Sequence, residues 1–498
     1  MFKMRLGKNT MKNINDIKVE KSSTSKNSLI SGMYKETSYT ETENGAKILN
    51  RSGSQLLDFY ALAGAMRNNE EDALDLFKKA FGEDRLKAIK ILFYLRDARG
   101  GLGERRLFRK CLQWLGENYQ DIFEKIVGYV SEYGRWDDLF FDNEKCFNLI
   151  EKQLREDVKS DTPSLLCKWI PTINASSDST RAKARFMANG LKLNEVEYRR
   201  MVRNVRKKIK TVEEKMSAKK WDEINYSSVP SQASRIYKDA FKKHDEERYN
   251  KFIEKAEKGE VKINASTLYP YQIYKSVKSN YSRTLEALWN QLPDYTQGKN
   301  AIVVADVSGS MEGDPMSVSV SLALYFAERN KGQFKDYFMT FSQKPTLQKI
   351  CGETLKEKMD NLERANWDMN TNLQAVFDLI LSTAIKNNTP TEEMPETIYV
   401  ISDMEFDSCQ GGYGYEEDKT NYEVIKEKYE DSGYKKPNLV FWNVDARQKN
   451  LPVESNENGV ALVSGFSPVI FKIAVENKTP EQIMLDTINS ERYAQITI

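Results

Sequence analysis

The run Ala301-Ile302-Val303-Val304-Ala305-Asp306-Val307-Ser308-Gly309-Ser310-Met311 limits the folds open to this chain more than any other stretch. Its small and β-branched apolar residues stand side by side without alternation. That pattern suits a strand buried on both faces, as in a parallel sheet. The run ends in an Asp-x-Ser-x-Ser turn, after which Met316, Val320, Ala323, Leu324 and Ala327 recur at helical spacing. Strand, polar turn and helix in that order predict an open α/β sheet, with its ligand site at the carboxyl ends of the strands. An aspartate and two hydroxyls delivered there are hard oxygen donors, suited to Mg²⁺ or, failing that, Mn²⁺ or Ca²⁺.

Two distant segments extend the pattern. Trp367-Asp368-Met369-Asn370-Thr371-Asn372 precedes a helical run of Leu373, Val376, Phe377 and Ile380, so Thr371 falls in a helix-opening turn. Thr397-Ile398-Tyr399-Val400-Ile401-Ser402-Asp403 reads as a second buried strand that ends in an aspartate. In this order the residues resemble the metal-ion-dependent adhesion site of von Willebrand factor A domains, whose motif is Asp-x-Ser-x-Ser, then a distant Thr, then a distant Asp. The resemblance implies that Asp306, Ser308, Ser310, Thr371 and Asp403 hold a divalent cation. Three hydroxyls and two carboxylates leave such an ion under-neutralised, so it attracts an anionic oxygen from outside, a partner carboxylate or a phosphate. Glu405 and Asp407 lie just past Asp403, and the sequence leaves open whether either closes the site.

At 498 residues the chain exceeds one compact core, so two or more domains are expected. Lys and Arg total 75 against 73 Asp and Glu, a net charge of +2, so any electrostatic argument has to be local. The five cysteines are scattered, with no C-x-x-C pair, which supports neither a disulfide framework nor a zinc site. No apolar run approaches the ~20 residues of a membrane span, and no apolar segment marks a secretory signal. A cytoplasmic protein away from membranes is expected.

Residues 1 to about 50 are rich in Lys, Asn, Ser, Thr and Glu and read as a disordered or loosely attached arm. From 51 to 292 apolar residues keep one-sided helical spacing, as in Leu86, Ile89, Leu92 and Phe93, with short polar joints between runs. Leu292-Pro293-Asp294-Tyr295-Thr296-Gln297-Gly298 makes a plausible boundary. From 298 to 498, strand candidates at 301–306, 334–341, 397–403, 438–444 and 460–464 alternate with helices near 315–330, 353–363, 371–386, 421–430 and 467–490.

Further segments carry a second resemblance. Leu95-Arg96-Asp97-Ala98-Arg99-Gly100-Gly101-Leu102-Gly103-Glu104-Arg105, Tyr133-Gly134-Arg135-Trp136-Asp137-Asp138-Leu139 and Lys168-Trp169-Ile170-Pro171 stand in the helical half. With Ser402-Asp403-Met404-Glu405-Phe406-Asp407 they resemble an intracellular family of unknown function that pairs a helical half with a C-terminal A domain. The architecture is similar to Ro/TROVE proteins, in domain order and in the Arg-Gly-Gly-x-Gly turn. That likeness implies a HEAT-like helical-repeat domain joined to a doubly wound A domain. It also implies RNA as partner, either single-stranded ends or a structured small RNA.

Two basic segments suit phosphates. In Tyr198-Arg199-Arg200-Met201-Val202-Arg203-Asn204-Val205-Arg206-Lys207-Lys208-Ile209-Lys210, a helix would carry Met201, Val205 and Ile209 as an apolar stripe. Arg199, Arg200, Arg203, Arg206, Lys207 and Lys210 would then face outward. Glu195, Glu197, Glu213 and Glu214 flank the run, so a solvated helix face explains it too. The turn carrying Arg99, Arg105 and Arg106 offers glycine N–H groups and forked guanidinium groups. A tight helix-hairpin turn explains its glycines equally. Gln410-Gly411-Gly412-Tyr413-Gly414-Tyr415 reads as a rim loop beside the Asp403 strand. The single histidine, His244, lies in a charged run, and no Ser–His–Asp ordering or phosphate-binding Gly-Lys-Ser/Thr run occurs. No enzyme is expected. The leading expectation is a Ro-like RNA-binding protein with a divalent cation in its A domain. The alternative is a metal-dependent scaffold that binds a partner carboxylate without RNA.

Overall fold

The N-terminal stretch expected to be a loose arm is built into the fold from residue 38 onward. The computed structural model describes residues 38–209, 211–296, 298, 300–341, 344–363, 371–408 and 419–498. Strands β1 (Tyr39–Glu41) and β2 (Lys47–Leu49) pair antiparallel in the register Tyr39↔Leu49. The Thr42 N–H donates to the Ala46 carbonyl and the Ala46 N–H donates to Thr42 Oγ1, both at 2.9 Å, enclosing the loop Glu43-Asn44-Gly45. Gly45 takes φ +78°, the left-handed position that a three-residue hairpin loop reserves for glycine. Ile48 and Leu49 are buried, and Leu49 bridges to Leu451. The partner surface lies some four hundred residues away in sequence, which is why a local reading finds only a polar tail. Lys3, Arg5, Lys8 and Lys12 lie outside the described residues.

Helices fill the chain from Gln55–Leu62 to Arg283–Asn290. Asp84 closes one helix, Glu70–Glu83, and caps the next, Arg85–Arg96, by accepting a hydrogen bond from the Lys87 N–H. Successive helices pack as neighbours, Gln55–Leu62 on Glu70–Glu83 and Ser231–His244 on Glu246–Glu257. His244 is exposed and stacks on Trp221 at 4.5 Å between ring centres.

The C-terminal part is an α/β domain. Strands β3 (Ala301–Ala305), β4 (Tyr337–Thr340), β5 (Leu347–Lys349), β6 (Thr397–Ser402), β7 (Asn438–Asn443) and β8 (Val460–Ser464) form one sheet in the order β5-β4-β3-β6-β7-β8. All neighbours are parallel except β5, a short antiparallel edge that the sequence pattern did not reveal. β3 and β6 are buried along their whole length, as unbroken apolar runs require. The single helix expected over 467–490 is instead a short turn, Pro468–Lys472, followed by the helix Pro480–Ile488. Each opens with proline at its first turn. Cys111, Cys146 and Cys167 are buried and free, and Cys351 is exposed. Among the described residues no helix is long and apolar enough to cross a membrane.

Candidate cation site and basic groove

β3 and β6 lie side by side and each releases its chain at the same edge of the sheet, so Asp306 and Asp403 emerge together. Both are fully buried. The Ser402 hydroxyl donates to Asp306 Oδ2 at 2.6 Å, and the Ser308 N–H donates to Asp306 Oδ1 at 2.9 Å. The Ser308 and Ser310 hydroxyls are 2.9 Å apart. Burial first, and the neighbouring Asp403 second, hold the Asp306 carboxyl above the ordinary range. Met404, between Asp403 and Glu405, sits at φ +67°, an unusual conformation for a residue with a long side chain.

Thr371 joins this cluster indirectly. Its hydroxyl lies 2.8 Å from the Glu405 carbonyl and 3.0 Å from Asp407 Oδ1, and it accepts from Asn44 Nδ2 at 3.0 Å. Asp306, Ser308, Ser310 and Asp403 thus form one group, and Thr371 is tied to it through Glu405, two residues beyond Asp403. Neither acid beyond Asp403 is free. Glu405 is buried and accepts from the Glu43 N–H at 2.7 Å and from Asn450 Nδ2 at 2.8 Å. Asp407 holds Thr371 through both oxygens. Residues 367–370, and the loop containing Tyr413 and Tyr415, lie outside the described residues.

The donor set fits a hard divalent cation: two buried acids of like charge beside paired hydroxyls, all at strand ends. A positive group already answers them. Arg447, just beyond β7, donates from Nη2 to Asp403 Oδ2 at 2.8 Å, and its Nη1 lies 2.9 Å from Glu43 Oε2.

The second predicted site lies on the helix Glu195–Ile209. Its buried face is Tyr198, Val202 and Val205, with Met201 and Ile209 half-buried, so the apolar stripe is turned by about a residue from the expected one. Arg199, Arg200, Arg203 and Lys207 are exposed and have no ion pair among the described residues. Arg206 is a correction. It is half-buried and donates to the Ile170 carbonyl at 2.6 Å, so it braces the helix instead of facing outward. Lys210 lies outside the described residues. The helix forms one wall of a groove of about 920 Å³, which Arg199, Arg203 and Lys207 line with Lys168; Glu213 and Glu214 stand among the other lining residues.

The Arg-Gly-Gly turn does not present its glycines to an anion. A Cβ on Gly101 would lie 2.0 Å from the Tyr94 carbonyl oxygen, and one on Gly103 would lie 2.2 Å from the Tyr269 hydroxyl. Close packing, including left-handed φ +70° at Gly103, explains both. Arg99 donates to the Glu132 carbonyl at 2.9 Å, and Arg105 and Arg106 are exposed, Arg106 within 3.9 Å of Glu70.

Residues 42–121 and 148–305 match a domain of unknown function, DUF2828, and residues 300–495 match another, DUF7788. An uncharacterised protein of Acanthamoeba polyphaga mimivirus is 30% identical over 501 aligned positions, covering 90% of this chain and 86% of that protein. The chain belongs to the same family as that protein. Among solved structures, the Ro (RSR) protein of Deinococcus radiodurans aligns at 13% identity with a TM-score of 0.37, over 88% of this chain and 99% of that one.

Arg447, Glu43, Asn44 and Asn450 escaped the sequence reading. Signals existed for two of them. Asn44-Gly45 between β-branched and apolar residues is a hairpin cue. Arg447 follows the third buried strand at the sheet edge where ligand residues collect.

Proposed function

We propose that this chain is an RNA-binding protein of Ro/TROVE type rather than an enzyme. In it the helical half grips the phosphate backbone, and the α/β part is a von Willebrand factor A-like domain with a divalent-cation site at Asp306, Ser308, Ser310, Asp403 and Thr371. The observation that carries the RNA reading is the row of exposed Arg199, Arg203 and Lys207, which make no ion pair among the described residues, along a groove of about 920 Å³. Unpaired guanidinium and ammonium groups on a concave wall attract phosphates. Glu214 offers an acceptor for the amino groups of exposed bases, while Glu213 pairs with Lys168 at 3.5 Å. A basic wall and an acidic acceptor in one groove favour a single strand over a duplex, whose Watson–Crick edges are hidden. The A-like reading of the second part rests on the strand order and on the delivery of Asp306 and Asp403 to one sheet edge.

The test is binding of a fluorescent single-stranded RNA by the full chain at several salt concentrations. Each phosphate contact with a single strand contributes about 0.7 to the slope of log affinity against log salt. Reversing Arg199, Arg203 and Lys207 to Glu is expected to weaken binding across sequences and to flatten that slope by about 2. An unchanged slope in the triple variant would return the helix to an ordinary solvated face. Capture of a protein partner only in Mg²⁺, with no RNA bound at low salt, would favour the scaffold alternative.

A further inference from the structure

A cavity of about 470 Å³ in the helical half is lined from the helices Arg106–Asn118, Glu144–Lys159 and Asp178–Gly190. Phe140, Phe141, Phe147 and Phe186 form its apolar wall. Phe147 and Phe186 meet edge to face, with ring centres 6.1 Å apart and planes at 84°. A Cβ on Gly190 would lie 2.4 Å from the Phe147 ring, so that ring is seated against bare backbone. Phe186 is 39% exposed, a large apolar ring left at the cavity instead of in the core. On the same helix Ser179, Ala182, Lys183 and Phe186 follow one another along the cavity at helical spacing, whereas Ala184 and Ala188 are buried. Arg109, another lining residue, is committed to acids: its Nε donates to Asp138 Oδ1 at 2.7 Å, and its Nη2 lies 2.8 Å from Asp137 Oδ2. Lys183 is not. It is half-buried and makes no hydrogen bond or ion pair among the described residues. Burial first, and the Arg109 charge second, hold its ammonium below the ordinary range.

We infer that this cavity takes one nucleotide of the bound RNA, its base packed against Phe186 and Phe147 and its phosphate on Lys183. The inference rests on the RNA reading above and adds to it a place for a base. An apolar guest would leave the Lys183 charge half-buried and unanswered, and a bare anion would leave the phenyl rings wet. A nucleotide joins a flat ring to an anion and answers both. Two phenyl rings set edge to face form a corner, in which a flat guest stacks on one and meets the edge of the other. Stacking on an aromatic side chain is open to every base, because every base has a π face, and it reaches bases that stand outside a duplex. The exposed Asp142, also on the wall, is an acceptor for a base amino group. The helix Asp178–Gly190 packs on Glu195–Ile209, and Arg185 Nε lies 3.4 Å from Glu195 Oε1 between them. The cavity and the basic groove therefore stand on neighbouring helices.

The experiment is binding of a fluorescent single-stranded RNA by the full chain across several salt concentrations, with variants that touch the ring and the charge separately. Phe186→Ala should weaken binding at least about fivefold, the low end for one base–aromatic stack, and leave the salt slope unchanged because a phenyl ring carries no charge. Phe186→Trp keeps a flat ring and should bind as the parent does, which separates lost stacking from lost folding. Lys183→Gln should flatten the slope by about 0.7, the share of one phosphate contact. RNA carrying 4-thiouridine, crosslinked by light and mapped by mass spectrometry, should mark Phe147 or Phe186. Parent-like affinity in Phe186→Ala, with a parent-like slope in Lys183→Gln, would overturn the inference. The RNA reading would survive that result as long as reversal of Arg199, Arg203 and Lys207 still weakens binding. If the parent itself binds no RNA at low salt, the RNA reading fails and the nucleotide pocket falls with it.

Discussion

Two buried aspartates in the helical half show how little burial alone says about an acid. Asp58 accepts from the Ser52 N–H at 2.8 Å and from the Ser52 hydroxyl at 2.6 Å. No cation bonds to it among the described residues, and burial pushes its carboxyl up to about 6. The folded chain therefore keeps this proton to a higher pH than the unfolded chain, whose carboxyl titrates near 4. Stability from this residue falls as pH rises between those values, and the penalty is complete above about 6. Asp58→Asn retains an acceptor for Ser52. It should be more stable than the parent at pH 7 by up to about 3 kcal/mol, with the difference shrinking towards pH 4. Urea melts at the two pH values measure this, and equal destabilisation at both would contradict it.

Asp138 is the opposite case. It accepts from Arg96 Nε at 2.8 Å, Arg109 Nε at 2.7 Å and the Arg135 N–H at 2.9 Å, and Arg96 is buried with it. Asp138→Asn leaves the Arg96 charge uncompensated and should cost about 3–5 kcal/mol, read in the same melts. The residue letters do not separate these two acids; their partners do. The same holds at the candidate cation site. That Asp306, Ser308 and Ser310 come near Asp403 was legible because their motif follows β3 and Asp403 follows β6, two unbroken apolar runs. Arg447 and Glu43 were not, because their roles come from contacts made across the fold.

The helix Glu195–Ile209 and the Arg-Gly-Gly turn show the same division among elements. Helix period and charge were readable in the former, but its rotation was not. Tyr198, an amphipathic ring, is the first buried residue, its hydroxyl donating to the Pro171 carbonyl at 3.0 Å. Counting the buried face from Tyr198 through Val202 and Val205 brings Arg206 inward, whereas counting from Met201 turns it outward. In the turn, sequence alone balanced anion binding against tight packing, and only the neighbours Tyr94 and Tyr269, the latter far along the chain, decide it. Gly101→Ala should therefore destabilise the protein by several kcal/mol, about what buried overpacking costs at its upper end. Gly128→Ala, where nothing lies within 4 Å of the added methyl, should stay within about 1 kcal/mol. Thermal melts of the pair test this. Similar losses in both would mean that the turn yields easily, which would revive the anion reading.

The two parts of the molecule are joined at several separated places, and this decides how a cation would be felt. The helix Gln55–Leu62 packs on β8, and the Gly64 N–H donates to Ser464 Oγ at 3.0 Å. The last helix, Glu491–Ala494, returns to the Arg-Gly-Gly turn, where Arg492 Nη2 meets buried Asp97 Oδ1 at 2.8 Å and Tyr493 stacks on Tyr133. The β1–β2 hairpin, at the start of the helical half, bonds to Glu405 and Thr371 of the other part. One continuous set of buried apolar side chains runs from Ala46 to Ile496. With shared core and shared polar ties, the two parts are expected to unfold as one cooperative unit, so calorimetry should show a single transition. An ion bound only by the folded chain stabilises all of it, by about 2.7 kcal/mol at a hundred times its dissociation constant. Saturating Mg²⁺ should therefore raise that one transition without splitting it, and Asp306→Ala with Ser308→Ala should remove the shift. Two transitions, with only the later or earlier one moved by Mg²⁺, would show that the ties between the parts are too weak to couple them. A single transition that ignores Mg²⁺ in both proteins would remove the cation while leaving the joined architecture intact.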